Sequence, residues 1–273
     1  MVRRSASTGR RGIPISRLLI ALVIVGISLF TYCSQRVDNP ITGETQHIGI
    51  TLEQEIALGL EAAPQMAAEF GGLAQDSSAQ NLVDEIGQRI VASSPAGQSP
   101  YEFDFHLLAD DQTINAFALP GGQIFITQGL LEQLSTEGEI AGVLGHEIGH
   151  VVARHSAEHI AKAQLTEGLT GAAVIAAYDP DNPSSARTAQ MAVLIGQLIN
   201  MKYGRDDELE SDFLGVCFLN DTGYDPSELI GVMEVLAASR QGQQPPEFFS
   251  THPNPERRVQ RIQEAIQNLD QCP

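Results

Sequence analysis

The motif His146-Glu147-Ile148-Gly149-His150 constrains this 273-residue chain more than any other feature. Residues four positions apart share one face of an α-helix, so both imidazoles can reach a single metal ion. Thr136 and Glu139 have capping-box spacing just upstream, which predicts that the motif lies on a helix. Glu147 is then placed to take a proton from an attacking water molecule rather than to bind the metal. The alternative is a surface helix with two solvated histidines.

Two further histidines, His155 and His159, follow the motif. On a continuous helix they would lie roughly 140° and 180° around from His150. We therefore predict polar-face histidines that take no part in the metal site.

A catalytic zinc ion takes three protein ligands, so the chain must supply a third one elsewhere. The best candidates lie in the acidic run from Tyr203 to Asp212, where Glu208 and Asp212 are four residues apart. We predict that Glu208 binds the metal and that Asp212 accepts the second ring N–H of a ligand histidine. Glu210 points to another face and is the weaker ligand candidate. Acidic runs also occur at ordinary helix starts, which is the alternative.

These segments resemble one family. The chain is similar to the gluzincin metallopeptidases that include the CAAX prenyl proteases, HtpX, BepA and the mitochondrial Oma-type peptidases. The resemblance rests on HEIGHVVARH, YGRDDELESD, Thr251-His252-Pro253 with Glu256, Arg257 and Arg258, and the upstream segments Asn39–Glu44 and Asn115–Gly122. It covers roughly residues 38 to 270 and favours the BepA-like branch. The family's E-x-E-A-D motif supports Glu208 as the third ligand, with Ser211 here in place of alanine.

The resemblance also assigns roles that spacing alone does not. It implies that His252 approaches the zinc as a gate on the water position or as a transition-state group; the alternative is local hydrogen bonding at a helix start. It implies that Arg205 and Arg258 support the site; a solvated basic face is the alternative for Arg258. Asn115 and Ala116 resemble the edge strand that pairs with an extended peptide substrate, as opposed to a plain core hairpin.

Periodicity predicts a mainly helical α+β fold with a small antiparallel sheet beside the motif helix. The resemblance implies that this is a zincin-like catalytic domain. Helices are expected at 51–73, 79–93, 165–178, 189–201 and 255–269, and strands at 101–108, 113–119 and 123–128. Pro120-Gly121-Gly122 is the predicted turn between the last two strands. The two apolar helices around the 179–185 loop are either core or a membrane-dipping pair, and both are too short to span a bilayer comfortably.

Charge is unevenly distributed along the chain. Residues 1–17 carry five arginines and no acid, a charge of +5, whereas the other 11 basic and 34 acidic residues give −23. Such an acidic body repels nucleic acid phosphates, so we expect no nucleic acid partner. It suits an exported enzyme acting on unfolded or basic polypeptides, and a solvated acidic surface explains it as well.

Residues 18–33 contain no charged side chain. At about 1.5 Å per residue they reach about 24 Å, which is short of the roughly 30 Å hydrocarbon core and near the length of a signal-peptide core. We favour an uncleaved anchor, with the arginines inside and the body on the periplasmic side, over export with signal cleavage. The expected organisation is a basic segment (1–17), an anchor or signal core (18–33), a linker (34–50) and a zinc metallopeptidase domain (51–273).

Beyond Cys33, the chain has only two cysteines, Cys217 and Cys272. In an oxidising compartment they either pair, fastening the C-terminal helix to the helix that begins near Glu208, or remain a buried residue and a free thiol.

The combined prediction is a membrane-tethered endopeptidase with one Zn²⁺ per chain that hydrolyses polypeptides, in particular misfolded or unassembled envelope proteins. One alternative is a zinc-bound chaperone or assembly factor with little proteolysis. Another is a soluble cytoplasmic peptidase, which requires residues 1–33 to be neither anchor nor signal. Oligomeric state is not predicted.

Overall fold

The computed structural model describes residues 15–177, 203–239, 247–252 and 257–273. The fold class is confirmed as mainly helical α+β. The elements are α1 (Ile15–Ser34), β1 (Arg36–Asp38), β2 (Thr45–His47), α2 (Leu52–Glu69), α3 (Ser77–Ser93), β3 (Asp104–Leu108), β4 (Ala116–Ala118), β5 (Gln123–Thr127), α4 (Gln128–Leu131), α5 (Glu137–Val152), α6 (His155–Ala177), α7 (Arg205–Thr222), α8 (Glu228–Ala238), α9 (Phe248–Thr251) and α10 (Arg258–Gln267). Short 3₁₀ turns lie at Pro95–Gln98 and Leu269–Gln271.

Several predictions fall on residues outside these ranges. They are the 179–185 loop, the 189–201 helix and the start of the 255–269 helix.

Helix α5 carries the histidine motif through the centre of the hydrophobic core. The Thr136 hydroxyl accepts a hydrogen bond from the backbone N–H of Glu139 at 3.0 Å, which starts the helix where the capping pattern predicts. Every residue from Ile140 to Val152 is buried. Because its glycines let neighbouring backbones approach, α5 packs closely against α7: a Cβ on Gly149 would lie 3.1 Å from the Cα of Ser211. This contact places the two motif-bearing helices side by side.

A three-stranded sheet in the order β3-β5-β4 lies beside α5. The β4–β5 pair is antiparallel, but β3 and β5 are parallel, so the prediction of an antiparallel sheet is wrong for that pair. The predicted turn is present, with Gly121 and Gly122 at φ of +83° and +107°. A Cβ on Gly121 would meet the Cα of Ile56 at 2.6 Å, so both backbone conformation and space require glycine there.

Residues 36–47, inside the segment predicted to be a linker, form the antiparallel β1–β2 hairpin. Its buried Asn39 donates to the carbonyl of Val152 at 2.8 Å, and Gln46 donates to the carbonyl of Ala153. The hairpin therefore satisfies carbonyl groups that the C-terminal end of α5 leaves without helical partners. Each strand of the hairpin has only three residues, which is too short for an alternating pattern of apolar and polar residues to predict it.

The sequence pattern predicts that the motif helix continues through His155, but the structure shows that it does not. Helix α5 ends at Val152, and Arg154 adopts a left-handed conformation with φ of +56° before α6 begins at His155. Arg154 is held by the buried carboxylate of Glu55, with a distance of 2.7 Å between Arg154 Nη2 and Glu55 Oε2. The chain therefore turns between the two helices.

The described cysteines of the body, Cys217 and Cys272, form a disulfide that joins α7 to the C-terminal segment. Of the two alternatives left open by the sequence, the paired one is present. Cys33 is free and exposed.

The chain divides into two compact units, Met1–Gln35 with Lys162–Asn200, and Arg36–Ala161 with Met201–Pro273. In the first unit, α1 is 20 residues long and exposed along nearly all of its length. It is the one helix among the described residues that is long and apolar enough to cross a membrane. At about 1.5 Å per residue, it measures about 30 Å, because it begins before the uncharged segment does. The sheet, the hairpin and α5 belong to the second unit.

Candidate metal centre

Four side chains converge between α5, α7 and α9. One ligand atom from each of His146, His150, Glu208 and His252 lies within 4.8 Å of the others. Each residue is at most 2% exposed. Two neutral imidazoles and a carboxylate form the donor set of a common type of catalytic zinc site, and the third imidazole adds a fourth donor.

Both motif histidines turn the same ring nitrogen toward this cluster. The Nε2 atoms of His146 and His150 are 3.1 Å apart, and they lie 3.6 and 3.5 Å from the carboxylate oxygens of Glu208. The Nδ1 atoms are consequently left for partners outside the cluster. This arrangement follows from the i, i+4 spacing and was predictable from it.

His146 has an acidic partner behind it. Its Nδ1 lies 3.0 Å from Asp212 Oδ1, and Asp212 in turn accepts hydrogen bonds from Arg258 Nε at 2.7 Å and Nη2 at 2.5 Å. Burial raises the pKa of the Asp212 carboxyl, but the Arg258 guanidinium outweighs this effect and the pKa is lowered. Asp212 is therefore a charged acceptor for the ring N–H.

Arg258 is 1% exposed, so the alternative of a solvated basic face is wrong. Its Nη1 also lies 3.0 Å from Glu208 Oε2, as an ion pair without hydrogen-bond geometry. Among the described residues, Glu208 Oε2 has no hydrogen-bond partner, and it lies 3.6 Å from His146 Nε2. Arg205, which the resemblance implied as a supporting residue, is the exposed first residue of α7 and does not join the buried group.

Glu147 is completely buried beside the cluster. Within the described part of the chain, neither of its carboxylate oxygens has a hydrogen-bond partner, and His252 Nε2 lies 3.5 Å from Glu147 Oε1. Burial raises the pKa of its carboxyl, with His252 and His146 opposing the shift. A buried carboxylate without a partner is costly, which indicates a group kept free for a proton or a ligand.

His252 stands between Glu147 and Glu208. Its Nδ1 lies 3.1 Å from Glu208 Oε1 and 3.3 Å from His146 Nε2, so it presents a donor atom to the same point as the motif histidines. The ring stacks on Phe248 with centroids 4.5 Å apart. His252 is completely buried, and the described contacts of its ring nitrogens are with His146, Glu147 and Glu208, which are distant along the chain, rather than with local groups.

His155 contradicts its prediction as a polar-face histidine. It is 1% exposed, and its Nδ1 lies 2.8 Å from His150 Nδ1. On the other side, its Nε2 lies 3.1 Å from Glu210 Oε2. The turn at Arg154 brings His155 into contact with His150. On a continuous helix His155 would point away from His150, so the prediction did not include this contact. His159 is partly exposed and bonds Asp207 at 2.7 Å, outside the cluster as predicted.

Asn115 and Ala116 lie where β4 begins, at the edge of the three-stranded sheet. Asn115 is 2% exposed, and its side-chain oxygen has no hydrogen-bond partner among the described residues. The backbone N–H of Phe248 donates to the carbonyl of Ile114 at 3.1 Å, which ties the segment carrying His252 to the start of this strand.

Sequence reasoning missed Tyr203 altogether. Its ring stacks on His150 with centroids 3.9 Å apart and an interplanar angle of 18°. Its hydroxyl bonds Ser156 at 3.1 Å. Proximity to Glu208 along the chain was the available signal, because a residue near a ligand often packs against the site.

The residues present fit a zinc ion. The donor set has the expected composition, and the donor atoms lie within 4.8 Å of one another. Among the described residues, Glu208 Oε2 and both oxygens of Glu147 have no hydrogen-bond partner, which leaves them able to bind a metal ion or a water molecule. His155 and Asp212 hold the outward nitrogens of the two motif histidines, as outer partners do in metal sites.

Comparison with known proteins agrees with this geometry. The sequence profile of peptidase family M48 matches residues 77–266. The chain is 33% identical over 226 residues to a beta-barrel assembly-enhancing protease of Yersinia pestis, covering 81% of this chain and 45% of that protein. It is 31% identical over 230 residues to the mitochondrial metalloendopeptidase OMA1 of Schizosaccharomyces pombe, covering 83% and 65%. The Escherichia coli beta-barrel assembly-enhancing protease is 28% identical over 252 residues, covering 88% and 50%. The chain thus spans about half to two thirds of the length of these relatives.

Proposed function

Because this chain belongs to peptidase family M48, we propose that it is a zinc-dependent endopeptidase tethered to a membrane by α1. The observation that carries the proposal is the convergence of four buried donors beside a fully buried Glu147, whose carboxylate accepts no hydrogen bond from the described residues. A structural metal site needs no such carboxylate, whereas hydrolysis needs a base.

His146, His150 and Glu208 are the proposed ligands of one zinc ion. When bound, zinc supplies a Lewis acid that lowers the pKa of water and offsets negative charge on a carbonyl oxygen. Asp212 orients His146 through its Nδ1, and Arg258 holds both Asp212 and Glu208 in place.

Glu147 then performs the proton transfers. It accepts a proton from the water that attacks the scissile carbonyl, and it returns that proton to the departing amine. Neither carboxylate oxygen accepts a hydrogen bond from the described residues, which leaves both available for this role. The raised pKa brings the carboxyl nearer to the operating pH, where a general base works best.

The proposed substrates are polypeptides, bound as an additional strand on β4 near Asn115 and Ala116. An edge strand recognises the main chain, so we expect loose sequence preference, as suits unfolded or unassembled proteins of the envelope. The names of two relatives, a beta-barrel assembly-enhancing protease and a metalloendopeptidase, agree with this class of substrate.

The proposed location is a membrane, with the peptidase body on the periplasmic side. Helix α1 exposes large apolar side chains over its whole length, and the five arginines that precede or begin it favour the cytoplasmic side. The peptidase domain extends from residue 51 to 273 in this proposal, and the β1–β2 hairpin packs with it.

The decisive experiment compares wild type with Glu147→Gln for zinc content and cleavage of casein. The variant should keep one zinc per chain, because the ligands remain, and lose about 10²–10⁴-fold in turnover, because the base is gone. Glu137→Gln, an exposed glutamate on the same helix, is the matched control and should behave as wild type. Loss of zinc in Glu147→Gln would make Glu147 a ligand, and a wild-type protein that binds zinc but cleaves nothing would favour the chaperone or assembly factor.

A further inference from the structure

The Nδ1 atom of His150 points away from the four-donor cluster and requires a partner of its own. For His146, the corresponding partner is Asp212, held by Arg258. For His150, the corresponding partner is His155, which in turn forms a hydrogen bond with Glu210. We propose that His155 and Glu210 are positioning residues that hold His150 in the orientation and tautomer needed to bind the metal. This inference rests on the proposed zinc site.

The contacts form a continuous chain of hydrogen bonds. His150 Nδ1 lies 2.8 Å from His155 Nδ1, and His155 Nε2 lies 3.1 Å from Glu210 Oε2. Two imidazole nitrogens at this distance share one proton, so one of them donates and the other accepts. The Ser211 hydroxyl is the other polar contact of His155 Nδ1, at the limiting distance of 3.5 Å.

The carboxylate at the end of the chain determines the direction of these bonds. A carboxylate only accepts, so His155 Nε2 carries the proton and donates to Glu210. His155 Nδ1 is then the acceptor, and it takes the proton of His150 Nδ1. His150 Nε2 is left with its lone pair directed into the cluster, which is the tautomer that a metal ligand must have.

The turn at Arg154 makes this arrangement possible. A left-handed conformation is uncommon for a residue other than glycine, and its cost must be offset by surrounding contacts. The ion pair between Arg154 and the buried Glu55 supplies such contacts. His155 consequently lies beneath His150, and the rings have centroids 4.9 Å apart.

The ring of His150 is also fixed from one face by Tyr203. Stacking restrains the plane of the imidazole but cannot select which nitrogen carries the proton. The separate contribution of His155 and Glu210 is therefore the tautomer, together with rotation of the ring within its plane.

The test measures zinc affinity of the full chain by competition with a chelator. His155→Leu fills most of the space without an acceptor and should weaken zinc binding by about 10–100-fold, as changes to outer partners of metal ligands do. His155→Gln offers a side-chain carbonyl to the same N–H and should recover most of the affinity. Equal affinities in wild type and His155→Leu would overturn the proposal.

Glu210 provides the second variant, because its side chain is 20% exposed and its removal leaves the core intact. Glu210→Ala should weaken zinc binding by about 10-fold, at the lower end of the same range. The double variant His155→Leu/Glu210→Ala should be no weaker than His155→Leu, because Glu210 acts through His155. Additive losses, or an unaffected Glu210→Ala, would contradict this order of action.

His159→Ala is the matched control. It removes a histidine from the next turn of α6, and among the described residues the hydrogen-bond partner of this histidine is Asp207. The zinc affinity of His159→Ala should equal that of wild type, and a loss as large as that of His155→Leu would reveal a general effect on α6.

In the zinc-loaded enzyme, His155→Leu should lower kcat more than it changes KM, because the substrate strand is untouched. A wild-type chain without zinc or cleavage would refute the proposed function itself, whereas the inference alone fails if wild type is active and His155→Leu binds zinc normally.

Discussion

At the scale of single residues, the site separates ligand atoms from the groups that orient them. His146 and His150 both present Nε2 to the cluster, and each gives its Nδ1 to a different partner, Asp212 or His155. Buried charges are costly unless paired, and here Arg258 pairs with Asp212 and Glu208. Removing Arg258 or Asp212 should therefore weaken metal binding without removing a ligand.

Asp212→Asn tests this expectation at the acidic partner of Arg258 and His146. The amide oxygen still accepts from His146, but the charge opposite Arg258 is lost, so zinc affinity should fall by about 10–100-fold. Chelator competition measures the change. Asp221→Asn, an exposed residue near the end of the same helix, is the control. Unchanged affinity and turnover in Asp212→Asn would remove this residue from the site.

His252→Ala tests the fourth donor. If His252 gates the zinc, we expect higher basal cleavage with full zinc content, because its Nδ1 lies 3.3 Å from His146 Nε2 and 3.1 Å from Glu208 Oε1, where it would compete with water for the metal. Cleavage of an unfolded substrate and metal analysis give the answer. The Glu147→Gln/His252→Ala double variant should be inactive, which assigns the added cleavage to this site. Lower turnover with zinc retained would instead make His252 a group that stabilises the transition state.

At the scale of secondary-structure elements, the close approach of α5 and α7 sets the distance between the two histidines and Glu208. Gly145 and Gly149 both face α7, each immediately before a ligand histidine. A Cβ on Gly145 would meet Gly215 at 3.6 Å, an ordinary contact, but a Cβ on Gly149 would meet the backbone of Ser211 at 3.1 Å. The tight point lies beside His150.

Gly149→Ala should push α7 away from α5. Overpacking of this kind costs about 1–3 kcal/mol, which exceeds the gain of about 1 kcal/mol in helix propensity, and it should also lower zinc affinity. Gly145→Ala is the matched control and should be neutral or stabilising. Thermal unfolding of the metal-free proteins and chelator competition measure both effects. A Gly149→Ala variant as stable as Gly145→Ala would show that α7 is not constrained there.

At the scale of the whole molecule, the β1–β2 hairpin belongs with the peptidase unit although it directly follows α1. Its Asn39 and Gln46 side chains satisfy the carbonyls of Val152 and Ala153 at the end of α5. The hairpin therefore extends the compact unit that contains the proposed peptidase domain (51–273) upstream to Arg36.

Deleting residues 1–34 should release the protein from membranes and preserve its stability. Deleting residues 1–50 should in addition lower the free energy of unfolding by about 1–3 kcal/mol, for two hydrogen bonds at about 0.5–1.5 kcal/mol each. Membrane fractionation and denaturant unfolding distinguish the two truncations. Equal stability of both would show that the hairpin does not support α5.

The sequence alone determined the elements whose signals are local. The capping residue Thr136 and the i, i+4 histidines predicted α5, and Glu208 with Asp212 predicted the second motif helix, because one helical turn brings such residues to one face. The Pro120-Gly121-Gly122 turn was predictable because only glycine tolerates its backbone conformation.

Only the tertiary structure decided what depends on one residue or on distant partners. Arg154, in a left-handed conformation and paired with Glu55 of α2, ends the motif helix. His155 therefore lies against His150 instead of pointing away from it. Burial of Arg258 against Asp212, and the disulfide between Cys217 and Cys272, require residues far apart in the chain to meet. Helical periodicity describes the neighbours of a residue along one element, whereas the partner that orients a metal ligand comes from another element, whose position is set by packing of the whole core.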